Sequence, residues 1–220
     1  MTWTTKNSPP EEVALERAWD ALNQALDRRV RVSVQMRVTA CVRDALSFMT
    51  LLRELEAGEV GRSEKQMAAV AEWDSHRSFQ FAAAVKAMYY FVRALQDAVY
   101  AALLEATGQH AGAYSSMQDC AKKAANPIRP LIERALPDYF AWFAEFRDIR
   151  NDMKLGASTA FGFRGAAAKQ VRIILQDIDD AKRYVSNGRE LSLVDTDRCL
   201  THSAQLLQFV ADYISHAAQV

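Results

Sequence analysis

Apolar residues recur along most of this chain at the three- and four-residue spacing of helices. After a polar stretch over residues 1–8, predicted to fray, Pro9-Pro10-Glu11-Glu12 opens the first helix. Proline is tolerated in a first helical turn, and acids there oppose the positive end of the helix dipole. Val13, Ala14, Trp19, Ala21, Leu22 and Leu26 follow on one face. The next stretch, DRRVRVSVQMRV, is ambiguous. Val30, Val32, Val34, Met36 and Val38 alternate as in a strand, whereas Val30, Val34, Val38, Val42, Ala45, Met49 and Leu52 fit a helix. The helical series outlasts the alternating one, so a helix is predicted to Glu56, ended by Gly58.

Residues 58–63, GEVGRS, read as a loop, and Ser63 with Gln66 resembles a capping box that opens a helix to about Asp74. Ser75 caps a longer helix carrying Phe79, Phe81, Val85, Met88, Phe91, Val92, Leu95, Val99 and Leu103, stopping at Gly108. Its apolar surface is broad enough to imply burial on more than one side. Residues 108–116 read as loop, followed by short helices from about Met117 to Ala125 and from Pro127 to Leu136. Pro137-Asp138 starts a helix with a dense aromatic face, Tyr139, Phe140, Trp142, Phe143 and Phe146, ending at Gly156. ASTAFGFRGAAAKQ then reads as loop. QVRIILQDID and KRYVS, rich in β-branched residues, predict a β-hairpin at about 170–186. Ser192 with Asp195 caps a last helix. The expectation is one mainly α domain over residues 1–220, a helical bundle with long central helices and a small β-hairpin before the C-terminal helix.

Composition narrows the function. The 27 basic and 27 acidic residues cancel, which excludes a protein that coats nucleic acid through bulk charge. Half the residues are hydrophobic, enough for a sizeable core. Cys41, Cys120 and Cys199 are scattered without a CxxC or CxH neighbour, as reduced buried thiols are in a cytoplasmic protein. The start of the chain lacks the charged and apolar regions of a signal peptide, and no apolar run reaches the length of a membrane span. No Glu-x-x-His pair, HExxH, GxGxxG or Walker A loop occurs, so neither a metal nor a cofactor is expected. Ser115-Ser116 reads as a loop and helix cap, not a nucleophile.

One stretch carries candidate chemistry: FRDIRNDMKLG, residues 146–156. On a helix Arg147, Asn151 and Lys154 lie at i, i+4, i+7, and Arg150 and Lys154 at i, i+4. Three cations and an amide can converge near the helix C-terminus, where a guanidinium fork fits phosphate oxygens and lysine adds a point charge. The competing reading is structural. Basic residues at a helix C-terminus stabilise its dipole, and Asp148 and Asp152 can pair with them.

With its Arg150-Asn151 pair near the end of a late helix, the segment from about 138 to 156 resembles the HEPN domains of prokaryotes. The resemblance implies a homodimer in the cytoplasm, formed through the aromatic helices, and a toxin–antitoxin or defence setting. It also implies metal-independent RNA cleavage, in which Arg stabilises the phosphate and His transfers protons. Arg150 and Asn151 match the motif, but Leu155 stands where the family commonly has His. Lys154, the nearest polar residue, has a reference pKa of ~10.4 against ~6.5 for His, so it is a poor general base unless strongly desolvated. His202 or His110 would have to come from elsewhere in the fold. The resemblance therefore implies binding of RNA or a nucleotide phosphate through Arg147, Arg150, Asn151 and Lys154, with no catalytic residue assigned. The alternatives are an active metal-independent ribonuclease and a non-catalytic helical interaction scaffold.

Overall fold

A computed structural model describes residues 3–26, 30–65, 75–109, 116–154, 159–162, 172–178 and 184–217. For 59–65, 75–79, 82, 154, 159–162, 172–178, 184–188 and 217 only the backbone is described. The protein is mainly α. Its helices are α1 (Pro10–Ala25), α2 (Val32–Lys65), α3 (Ser75–Ala106), α4 (Met117–Lys122), α5 (Arg129–Ala135), α6 (Tyr139–Lys154) and α7 (Leu193–Ala217). Strands β1 (Thr159–Gly162), β2 (Arg172–Ile178) and β3 (Tyr184–Leu191) lie between α6 and α7 and form an antiparallel sheet in that order. Among the described residues, no helix is long and apolar enough to cross a membrane.

Local chemistry sets most of the helix ends. Pro10 and the acids Glu11 and Glu12 occupy the first turn of α1. The α3 C-terminus closes on Gly108, whose φ of +68° no side-chain-bearing residue adopts cheaply. The Gly108 amide donates to the Glu105 carbonyl and the Gln109 amide to the Leu104 carbonyl, which satisfies two otherwise orphaned acceptors. Ser116 accepts from the Asp119 amide at 3.2 Å and so caps α4. At α7 the Asp195 carboxylate accepts from the Ser192 amide at 2.7 Å and from its hydroxyl at 3.0 Å.

Three expectations need correction. The N-terminal arm is pinned: the Trp3 amide and the Thr4 hydroxyl donate to the Glu16 carboxylate, and the Trp3 and Trp19 rings lie 4.5 Å apart. Burial alone would raise the Glu16 pKa, yet these bonds hold it below the usual value. The apolar partner of Trp3 is 16 residues away, out of reach of a local pattern. Second, α2 runs through Gly58 and Gly61 to Lys65. A glycine weakens a helix by about 1 kcal/mol but does not break it. Residues 66–74, the remainder of the helix expected up to Asp74, lie outside the described residues. Third, the stretch read as loop after α6 contains β1, which pairs Thr159 with Leu175 and Gly162 with Arg172. Its four residues, TAFG, do not alternate apolar with polar, so the pattern that marks a strand is missing there. The turn of the hairpin expected at about 170–186 also lies outside the described residues.

The chain divides into two compact units. The first comprises residues 1–46, 91–145 and 198–220, and the second residues 47–90 and 146–197. In the first, Val30, just ahead of α2, and Val34 of α2 bury against Ala102 of α3, with Arg31 bonded to Glu105 at 2.6 Å. In the second, Phe146 of α6 stacks on Tyr89 of α3 at 5.2 Å, and Arg53 of α2 pairs with Asp197 of α7 at 2.5 Å. The candidate residues all belong to this second unit.

Candidate functional site

The end of α6 is helical because its apolar side chains recur on one face. Phe146, Ile149 and Met153 are buried at i, i+3 and i+7, which rotates Arg147, Arg150 and Asn151 to the flanks. On α3 the same geometry separates two neighbours: Tyr89 points inward, whereas Tyr90, one residue on, is 41 % exposed. The Arg150 guanidinium carbon lies 5.4 Å from the centre of the Tyr90 ring. That distance is within the range of a cation–π contact.

The structure brings some of the predicted residues together and separates others. Arg150 Nη1 donates to Asn151 Oδ1 at 3.4 Å, so this pair does meet. Arg150 Nε is buried with no hydrogen-bond partner, and among the described residues Arg150 forms no ion pair. Arg147 instead turns to its neighbour Asp148, at 3.2 Å. Lys154 is the last residue of α6, but its side chain is outside the described set, as are Leu155 and Gly156.

Asp152 reaches the sheet, where its Oδ2 lies 3.1 Å from Arg189 Nη1. Arg189 stands at an irregularity of β3. Ile174 faces Glu190 and Gln176 faces Ser186, so residues 187–189 stand against Leu175 alone. Such a bulge bends its strand and re-aims side chains. Here it occurs at the residue that ties the sheet to α6.

His202 belongs to the first unit, where its ring stacks on Trp142 with centroids 4.3 Å apart. Burial and the Arg198 guanidinium lower its pKa, against the opposing effects of Asp138 and a Gln205 hydrogen bond. His110 lies outside the described residues. Among the described residues no group of three His, Cys, Asp or Glu side chains could hold a metal ion. The cysteines are free thiols, and burial pushes Cys120 up to about 12.

Sequence reading missed Tyr90, Arg189 and a buried polar stripe on α3. Arg93, Gln96, Asp97 and Tyr100 all face the first unit's interior or its margin, with Arg93, Gln96 and Tyr100 buried. The signal was available: Arg93, Gln96 and Asp97 interrupt an otherwise apolar helix at i, i+3 and i+4. Tyr90 and Arg189 left no comparable trace, because each becomes relevant only through a residue distant in sequence. Comparison with family models, curated proteins and solved structures finds no match to this chain.

Proposed function

We propose that this chain is a phosphate-binding helical-bundle protein whose anion site is the flank of α6 around Arg150 and Asn151. Within that class we read it as HEPN-like, binding RNA or a nucleotide phosphate without efficient catalysis. The observation that carries the reading is the state of Arg150. Its charge is balanced by no carboxylate among the described residues, and its hydrogen bond there is a long contact, 3.4 Å, to the neutral amide of Asn151. A phosphate would supply both the counter-charge and the acceptors that a guanidinium fork lacks there. Arg147 and Lys154 complete the proposed set. Leu155 stands where the resembled motif commonly has His, and this argues for binding over cutting, since histidine is the usual group for proton transfer near neutrality.

The reading includes a cytoplasmic homodimer. Tyr139, Phe143 and Phe146 are already buried within one chain, so a second copy would have to meet other surfaces. The scaffold reading keeps one specific support, the Asp152–Arg189 pair that joins α6 to β3.

Fluorescence anisotropy with a short single-stranded RNA, in EDTA, tests these readings. Binding should weaken as salt rises, and Arg150→Ala should weaken it by about tenfold or more, as expected for a charge-assisted contact. The RNA should stay intact. Cleavage abolished by Arg150→Ala would establish the ribonuclease instead. Absent binding, with a lowered melting temperature in Arg150→Ala, would establish the scaffold.

A further inference from the structure

Tyr90 distinguishes the Arg150 site from a bare cation on a helix. Its neighbour Tyr89 is buried and stacks on Phe146 at 5.2 Å, with the rings 8° from parallel. That stack fixes α3 against α6 one helical turn ahead of Arg150. With the two helices held so, the Arg150 guanidinium carbon lies 5.4 Å from the centre of the Tyr90 ring. Tyr90 itself stays 41 % exposed, whereas Phe81, Tyr89 and Tyr100 of the same helix are buried. A single exposed aromatic residue is ordinary by itself. One that lies against a guanidinium whose Nε is buried without a hydrogen-bond partner is not.

The pair joins two kinds of recognition at one place. A guanidinium offers charge and a donor fork to a phosphate, and an exposed tyrosine ring offers a flat apolar surface to another ring. Inorganic phosphate would use only the first. A nucleotide carries a phosphate and an aromatic base together and would use both. The carboxylates of the same helix end do not oppose an anion there, because each already faces a cation. Asp148 lies 3.2 Å from Arg147, and Asp152 lies 3.1 Å from Arg189.

We propose that Tyr90 is the base-stacking residue of the Arg150 site: one unpaired base of a single-stranded RNA lies on its ring while an adjoining phosphate engages Arg150. This role rests on the phosphate reading of Arg150 and adds to it a choice between strands. In a duplex each base is already stacked between its neighbours and has no free face to offer, so the site takes single strands. Stacking uses a face that every base has, so it is tolerant of sequence. Asn151 Oδ1 faces Arg150 at 3.4 Å and so is engaged away from a base edge.

Fluorescence anisotropy on the full chain tests this with a short single-stranded RNA, an abasic strand of the same length and an RNA duplex. The single strand should bind at least about fivefold tighter than either of the others, the least that one base stack supplies. Tyr90→Leu should remove that advantage and leave the abasic strand bound as before, and Tyr90→Phe should keep it. The salt dependence should stay unchanged in Tyr90→Leu and flatten in Arg150→Ala. If Tyr90→Leu weakens the abasic strand as well and flattens the salt dependence, the ring only positions Arg150 and stacking is overturned. If Arg150→Ala loses binding while Tyr90→Leu keeps it in full, the phosphate reading stands and stacking falls. If no probe binds, or Arg150→Ala binds like the unmodified protein, the phosphate reading falls and takes stacking with it. Should Tyr90→Leu fail to fold, the contrast between the single strand and the abasic strand in the unmodified protein decides.

Discussion

His202 stacks on Trp142 in a setting that favours the neutral imidazole, through burial first and Arg198 second. Its folded pKa is therefore below the reference of 6.5, and the unfolded chain takes up the proton first as pH falls. This contribution to stability is present above pH ~6.5 and is lost as pH drops through the depressed folded value. Melting temperatures measured from pH 8 to pH 5 should fall more steeply in the natural protein than in His202→Phe, which keeps a ring against Trp142 but cannot titrate. Equal slopes would show that the imidazole is not held neutral. Arg150 teaches a related lesson at the same scale. Its position on α6 was legible from spacing, as was its neighbour Asn151. That it would lie over Tyr90 and lack a carboxylate was not, because Tyr90 is 60 residues earlier in the chain.

Among the elements, helix ends were the most legible features, because capping is decided by residues three to five apart. Ser116, Ser192 with Asp195, and Gly108 all cap or terminate helices as their local sequence implies. The open space around Gly108 isolates its conformational role, since a Cβ there would meet nothing within 4 Å. Gly108→Ala should destabilise by about 1 kcal/mol through the left-handed backbone alone, seen as a melting temperature about 2–4 °C lower. An unchanged melting temperature would mean that the end of α3 relaxes freely. Gly58 and Gly61 show the limit of the same logic. They lie inside α2 because glycine punctuates a helix only where its capping bonds and a left-handed turn are also in place. Whether glycine ends a helix thus depends on the segment that follows it.

For the molecule as a whole, burial separates the three thiols. Cys41 is half-buried, whereas Cys120 and Cys199 are buried. Burial raises the Cys41 thiol above its usual value, with Asp44 adding to this and Arg37 opposing it, and lifts Cys120 to about 12. Because the thiolate is the reactive form, alkylation of the native protein at pH 8 should modify Cys41 first and leave Cys120 and Cys199 intact until denaturant is added. Early labelling of Cys120, read by peptide mass spectrometry, would contradict the packing of α4. The reduced and scattered character of these residues was visible in sequence, but their order of reactivity was not.

By itself, the sequence determined the mainly α class, the caps and ends of most helices, and the placing of Arg147, Arg150, Asn151 and Lys154 on one short helical segment. Those properties rest on spacing and on interactions a few residues long. The tertiary structure alone decided that Glu16 pins the N-terminal arm, that Asp152 joins Arg189 of the sheet, and that Arg150 faces Tyr90. Each of these joins residues from separate segments, and a periodic pattern records which face of an element is buried but not which partner it is buried against.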